Sequence, residues 1–261
     1  ALHSPGRFNT VYVYEREQRW PWGHRNVVFA QRGGPIVYIK RSLYLTSPWQ
    51  KTLPAKKSTE GEILPYELWD ILKEYGKPVA LVSHTGATGM GTDWKMYEKF
   101  DYSSENIVEI FQGARVSYEG SGAPQPSVGF LPNTHLNATG RVVNSPSAPI
   151  MDFGKHANGT YQTALSEGHN LGVFASSDHI SQHATYGGVY CKDFTREGII
   201  EAMDNRRTIA ATDKIYLNFT CNDQPLGSFL KTKGAPKFWV KVDGTSDFKR
   251  ITIVRNEKDW K

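Results

Sequence analysis

An α/β fold followed by a small antiparallel β appendage is what this sequence predicts, and three observations predict it. Short apolar runs alternate with longer amphipathic stretches up to about residue 207. Several of those runs are continuously apolar, as strands buried on both faces of a parallel sheet are. From residue 208 the pattern changes to short alternating segments parted by Gly, Pro and Asp turns. The expected organisation is therefore a main unit over 1–207 and a β-rich appendage over 208–261.

Taken in order, "TVYVYE" (10–15) and "RNVVFA" (25–30) read as strands, and "GGPIVYIK" (33–40) as an extended segment opened by two glycines. "LPYELWDILKEYG" (64–76) reads as a helix: Leu68, Leu72 and Tyr75 share a face, Pro65 sits in the first turn, and Gly76 supplies the stop. "PVALVSH" (78–84) and "NIVEIFQG" (106–113) follow as buried strands. Residues 114–155 are dense in Gly, Pro, Ser and Asn and read as a long excursion, a kind of loop that tends to be functional or disordered. "TYQTALSEGHN" (160–170) predicts a short helix ended by Gly168, "LGVFASSD" (171–178) a buried strand, and "TREGIIEAMDNRR" (195–207) an amphipathic helix capped by Thr195. "IYLNFTC", "KFWVKVDG" and "KRITIVRNE" are the strands expected of the appendage.

With 261 residues the chain can bury a real core, and no apolar run approaches the roughly 18 residues of a membrane span. The reading is a protein without a membrane segment, soluble, of unassigned compartment and oligomeric state. The charge of +5 is spread along the chain, densest at "KTLPAKK" (51–57) and "KTKGAPKFWVK" (231–241). Without an arginine-rich element it reads as solvated surface rather than a nucleic-acid site, and a small anionic substrate is equally compatible. Two cysteines, Cys191 and Cys221, exclude a disulfide scaffold and a Cys-rich zinc site while leaving room for one disulfide. Sequons at Asn137, Asn158 and Asn218 read as accidental in a chain rich in Asn, Ser and Thr.

Three apolar strands end in ionisable groups: Glu15 after "YVY", His84 after "ALVS", and Asp178 with His179 after "VFASS". Residues at the carboxyl ends of parallel strands converge on one face, where α/β sites form. A carboxylate together with several imidazoles is a ligand set for Mn²⁺, Zn²⁺ or Fe²⁺ in a hydrolase. Each residue alone has a plainer explanation, as a hydrogen-bonded histidine or, for Glu15 near Arg16 and Arg19, an ion pair.

The local wording also matches a family. "WGHRNVVFAQRGGPI" (22–36), "LVSHTGATGMGTDW" (81–94), "VEIFQGARVSYEG" (108–120), "LGVFASSDHISQHATYGGVYCKDFTREGIIEAM" (171–203) and "RRTIAATDKIYLNF" (206–219) together resemble the DUF3604 family, a branch of the PHP (polymerase and histidinol phosphatase) superfamily. The resemblance implies a partial distorted (β/α)7 barrel over residues 1–207, two or three divalent ions in an intact site, and phosphoester hydrolysis. It casts Glu15 as the metal-bridging carboxylate and His24, His84, Asp178 and His179 as ligands. Glu109, Asp93 and His183 become catalytic-site residues that orient the ligands or face the substrate, and Arg25 and Arg115 become contacts for a substrate anion. Two departures stand out. Asp178 and His179 are adjacent where the superfamily spaces this pair by one residue, so that His183 could substitute. The superfamily's opening His-x-His is absent, since none of the eight histidines lie two apart, and the expectation is a chain lacking the first barrel strands.

Two rivals to a metal-dependent phosphoesterase are weighed. A non-catalytic glycan- or partner-binding module would expose Trp20, Trp22, Trp49 and Trp94. A serine-type hydrolase lacks its Gly-x-Ser-x-Gly elbow in this sequence.

Overall fold

A computed structural model describes residues 3–18, 20–37, 65–84, 86–96, 105–112, 119–120, 134–136, 142–144, 156–177, 185–256 and 258–260. Its centre is a five-stranded sheet of β1 (Tyr12–Glu17), β2 (His24–Phe29), β3 (Val79–His84), β4 (Ile107–Gln112) and β7 (Gly172–Ser176), in the order β1-β2-β3-β4-β7. The pairs β1/β2 and β2/β3 run antiparallel, whereas β3/β4 and β4/β7 run parallel.

This corrects the expected α/β barrel: among the described residues strand far outweighs helix. A (β/α)7 barrel needs parallel strands each returned by a helix, and among the described strands of this sheet only β3, β4 and β7 are mutually parallel. Residues 18–23 are too few for a crossover of a dozen or more, so β2 must double back beside β1. The sheet stays open among the described residues, with β1 at one end and β7 at the other.

Helices cover both faces. On one face, α1 (Pro65–Tyr75) lays Leu68, Trp69 and Leu72 against Val27, Phe29, Val79 and Leu81. The spacing of Leu68 and Leu72 puts both on one helical side, and burying each leucine is worth about 1.5–3 kcal/mol. Farther along that face, Val108 and Ile110 meet Trp94 and Ala164, the latter from α2 (Tyr161–Ser166). On the opposite face, α3 (Arg196–Asp204) packs Ile200 and Met203 onto Val28, Ala80, Val82 and Ile107. Thr195 caps α3 by accepting a hydrogen bond from Gly198 N at 3.0 Å.

The described residues also form four small sheets. Within 114–155, β5 (Thr134–Leu136) pairs with β6 (Val142–Asn144); most of that excursion lies outside the described residues. The pair β8 (Tyr186–Val189) and β9 (Thr208–Ala211) went unforeseen, and the 207/208 boundary falls at the start of β9. Beyond it, β10 (Tyr216–Cys221) lies between β11 (Gln224–Pro225) and β12 (Phe238–Asp243). The β10–β11 turn uses Asn222 and Asp223, both at positive φ, as a two-residue type I′ hairpin requires. A last hairpin joins β13 (Val254–Arg255) to β14 (Lys258–Asp259). Cys191 and Cys221 are both free thiols. Among the described residues, no helix is long and apolar enough to cross a membrane.

Candidate metal centre

The strand register puts the site on the face that carries α3. Glu15 stands opposite Asn26, and His24 stands opposite both Glu17 and His84. Side chains alternate along a strand, so Glu15, His24 and His84 project to one side while Arg16, Arg25 and Ser83 project to the other. His24 is the first residue of β2 and His84 the last of β3, and antiparallel pairing brings those two ends together. Glu15, expected at a strand end, sits within β1.

Glu15 Oε1 lies 3.0 Å from His24 Nδ1 and 2.6 Å from His84 Nε2. One ligand atom from each residue falls within 4.8 Å of the others. Zinc binds such donors at about 2.0–2.2 Å, so these hydrogen-bonded atoms need only part slightly to admit one ion. Two imidazoles and one carboxylate form a three-ligand set that leaves a further coordination position for water or substrate.

The second nitrogen of His84 is also held. Its Nδ1 lies 3.1 Å from Glu109 Oε2, and Glu109 Oε1 accepts from Ser176 Oγ at 3.1 Å. Glu109 is almost wholly buried. A carboxylate on the far nitrogen of a ligating histidine fixes its tautomer and ring orientation, and here a serine hydroxyl in turn orients that carboxylate. The β4/β7 register slips between Glu109 and Phe111, which sets Gln112 opposite Ser176. Bulges of this kind are common beside active sites, where they re-aim side chains.

The electrostatics follow from the contacts. Hydrogen bonds from His24 and His84 hold the half-exposed Glu15 carboxyl well below its usual range. Burial alone would pull His84 down, but the hydrogen bonds to Glu109 and Glu15 outweigh it and push the imidazole up to about 10. His84 thus bridges the two carboxylates through its two ring nitrogens, and a cation bound there would compete with a proton for Nε2.

Of the other expected residues, Arg25 lies away from this group. It is fully buried on the α1 face, its Nε 2.6 Å from Glu105 Oε1 and its Nη1 donating to Trp22 O and to Gly23 O. Glu105 also accepts from Ser83 Oγ at 2.7 Å and from Trp69 Nε1. The carboxylate of Asp93 is engaged by Lys95 N at 3.1 Å and Asn158 Nδ2 at 3.5 Å, not by the Glu15–His24–His84 group. Arg115, Asp178, His179 and His183 lie outside the described residues. Of the tryptophans, Trp94 is buried with Nε1 donating to Gly159 O, Trp22 packs against the α1 cluster, and Trp20 stacks on His156; Trp49 is outside the described residues.

Sequence reasoning missed Ser176 and Glu105. The two serines that end the β7 run were a signal for the first. Glu105 pairs with an arginine 80 positions away and offered none.

No protein-family model matches this chain, and no solved structure matches it. It is similar to uncharacterized proteins of Chlamydia muridarum (26% identity over 187 residues), Chlamydia trachomatis (27% over 188) and Chlamydia pneumoniae (24% over 192). These matches take in 68–69% of the chain and 28% of each relative, so the chain spans between a quarter and a third of the length of the curated relatives it matches.

Proposed function

We propose that this chain supplies the metal centre of a divalent-metal-dependent hydrolase, with Glu15, His24 and His84 as ligands and a small anionic phosphoester as substrate. The observation that carries the proposal is the convergence of these three donors, on three neighbouring strands, with Glu109 and Ser176 set behind His84. The ester class rests on the resemblance to the DUF3604 and PHP proteins, and the whole protein's substrate is part of the proposal.

A bound Mn²⁺, Zn²⁺ or Fe²⁺ would supply Lewis acidity and a water of lowered pKa. The chain's own groups do the rest. Glu109 holds the His84 ring through Nδ1 and leaves Nε2 as its ligand atom. Glu15 contributes negative charge from a half-exposed position, which keeps the centre open to solvent on the β1 side.

The test is metal content by inductively coupled plasma mass spectrometry after dialysis against Mn²⁺, Zn²⁺ or Fe²⁺, on the wild type and on Glu15→Ala and His84→Ala. It is paired with hydrolysis of p-nitrophenyl phosphate and bis-p-nitrophenyl phosphate. One ion per chain, lost in both variants, with metal-dependent ester turnover in the wild type, is the expected result. Substoichiometric metal in the wild type, or metal retained by both variants, would sink the proposal.

A further inference from the structure

We infer that the substrate of this centre carries a compact apolar group, aryl or branched alkyl, beside the group held by Glu15, His24 and His84; this rests on the metal-centre proposal above. A cavity of about 400 Å³ lies between the α3 face of the sheet and α3 itself, within the range of small-molecule sites, about 300–1,000 Å³. Its wall is apolar, formed by Val28, Val82, Phe174 and Ile199 with their neighbours. Among the described residues, its polar lining is Asn26, Glu109 and Ser176.

The register places this cavity directly beside the donors. Val82 precedes His84 by two residues on the same side of β3, and Asn26 follows His24 by two on β2, opposite Glu15. A two-residue step along a strand is roughly 6.6 Å. Glu109 belongs to both places: one carboxylate oxygen is on His84, and the side chain lines the cavity. Among the described residues, the polar lining therefore belongs to the end near the donors, and the rest of the lining is apolar and offers no hydrogen bond to a hydroxyl-rich group. A sugar seated there would leave its hydroxyls unpaired, at a cost of about 1–3 kcal/mol for each buried one.

The wall is also fixed in shape. Gly187 leaves the space that the Phe174 ring occupies, since a Cβ at that position would fall 2.1 Å from Phe174 Cζ. Ile199 reaches the cavity from α3, away from the ligand residues, and so controls its volume without belonging to the metal centre.

The experiment is calorimetric titration of the Zn²⁺-loaded chain with acetohydroxamate and benzohydroxamate, which present the same chelating group and differ only in the apolar substituent. Benzohydroxamate is expected to bind about 10- to 100-fold more tightly, from the apolar area buried. Ile199→Trp should abolish that preference with zinc stoichiometry intact, and Ile199→Ala, which enlarges the cavity, should shift preference towards 2-naphthohydroxamate. Equal affinity for the two ligands on a zinc-loaded protein, or failure of both to bind it, overturns this inference and leaves the metal centre standing. Failure to bind zinc removes the metal centre and this inference together.

Discussion

Glu105→Leu probes the polar girder on the sheet face opposite the candidate metal centre. The side chains of Glu105 and Arg25 are both 0% exposed. Removing the carboxylate takes the Glu105 partner from a buried guanidinium and from Ser83 and Trp69. Breaking a buried ion pair from one side costs about 3–5 kcal/mol, whereas replacing both partners with apolar groups of similar volume is often close to neutral. Glu105→Leu and Arg25→Met should therefore each lose about 3–5 kcal/mol. The double variant should fall within about 2 kcal/mol of wild type, a coupling energy of several kcal/mol. Urea unfolding followed by tryptophan fluorescence and far-ultraviolet circular dichroism, on all four proteins, measures the cycle. Arg25 adjoins His24 and Ser83 adjoins His84 on their strands, so zinc affinity should weaken in each single variant as well. Single variants that lose less than about 1 kcal/mol, or losses that simply add, would refute the assignment of this pair as a mutually dependent buried unit.

Glu109→Gln should weaken zinc binding by about 10- to 100-fold, read by competition with a chromophoric chelator, because it removes the carboxylate that orients His84; an unchanged affinity would contradict that role. In the metal-free protein, the His84 pKa rises from its ordinary 6.5 to about 10, so its stabilising contribution is complete below pH 6.5 and disappears as pH climbs through 10. Urea midpoints measured in EDTA should fall over that window for the wild type and far less for His84→Gln. Asp204 is displaced the other way for a carboxyl: burial lifts it from 3.8 to about 6, against the nearby Arg206, which penalises the folded state above pH 6. Asp204→Asn should thus gain about 1–2 kcal/mol at pH 7.5 after allowance for partial exposure, with the gain vanishing near pH 4. Gly23→Ala should unfold the protein more readily, by at least about 2 kcal/mol, because Gly23 has φ +78° and an added Cβ would meet backbone atoms of Gly91 and Thr92 at 2.8 Å; a thermal melt matching wild type would contradict this.

Local pattern made some elements legible and left others dark. The continuous apolar runs of β3, β4 and β7 and the spacing of Leu68 and Leu72 in α1 identify those segments without any partner in view. Strand direction is different, because apolar periodicity says which residues are buried and not which neighbour a strand takes. The antiparallel β1-β2-β3 half of the sheet was consequently read as barrel. The β8/β9 pair escaped notice because "YGGV" and "TIAA" carry weak strand propensity, and β9 gains its place by packing in the folded protein. At the candidate site, Glu15 and His84 were legible as ionisable groups ending apolar runs, whereas His24 entered only through the family resemblance. The burial of Arg25 was not legible, because its Glu105 partner lies far away in the chain and a lone arginine in sequence looks the same whether it faces an anion or a core carboxylate.

The position of Glu15 has a mechanical consequence. Among the described residues β1 is the terminal strand of its sheet and takes its backbone pairing from β2; such a strand can peel away at less cost than an interior one. A cation clasped by Glu15, His24 and His84 would rivet β1 to the second and third strands across 69 positions of sequence. At about 100 times its dissociation constant such a rivet adds roughly 2.7 kcal/mol to any opening that breaks it. Amide exchange along Tyr12–Glu17 would then slow on metal loading while that of Phe238–Asp243 stays constant. Fraying of the outermost strand and release of the ion would become one event, which makes β1 the hinge on which occupancy of the centre turns.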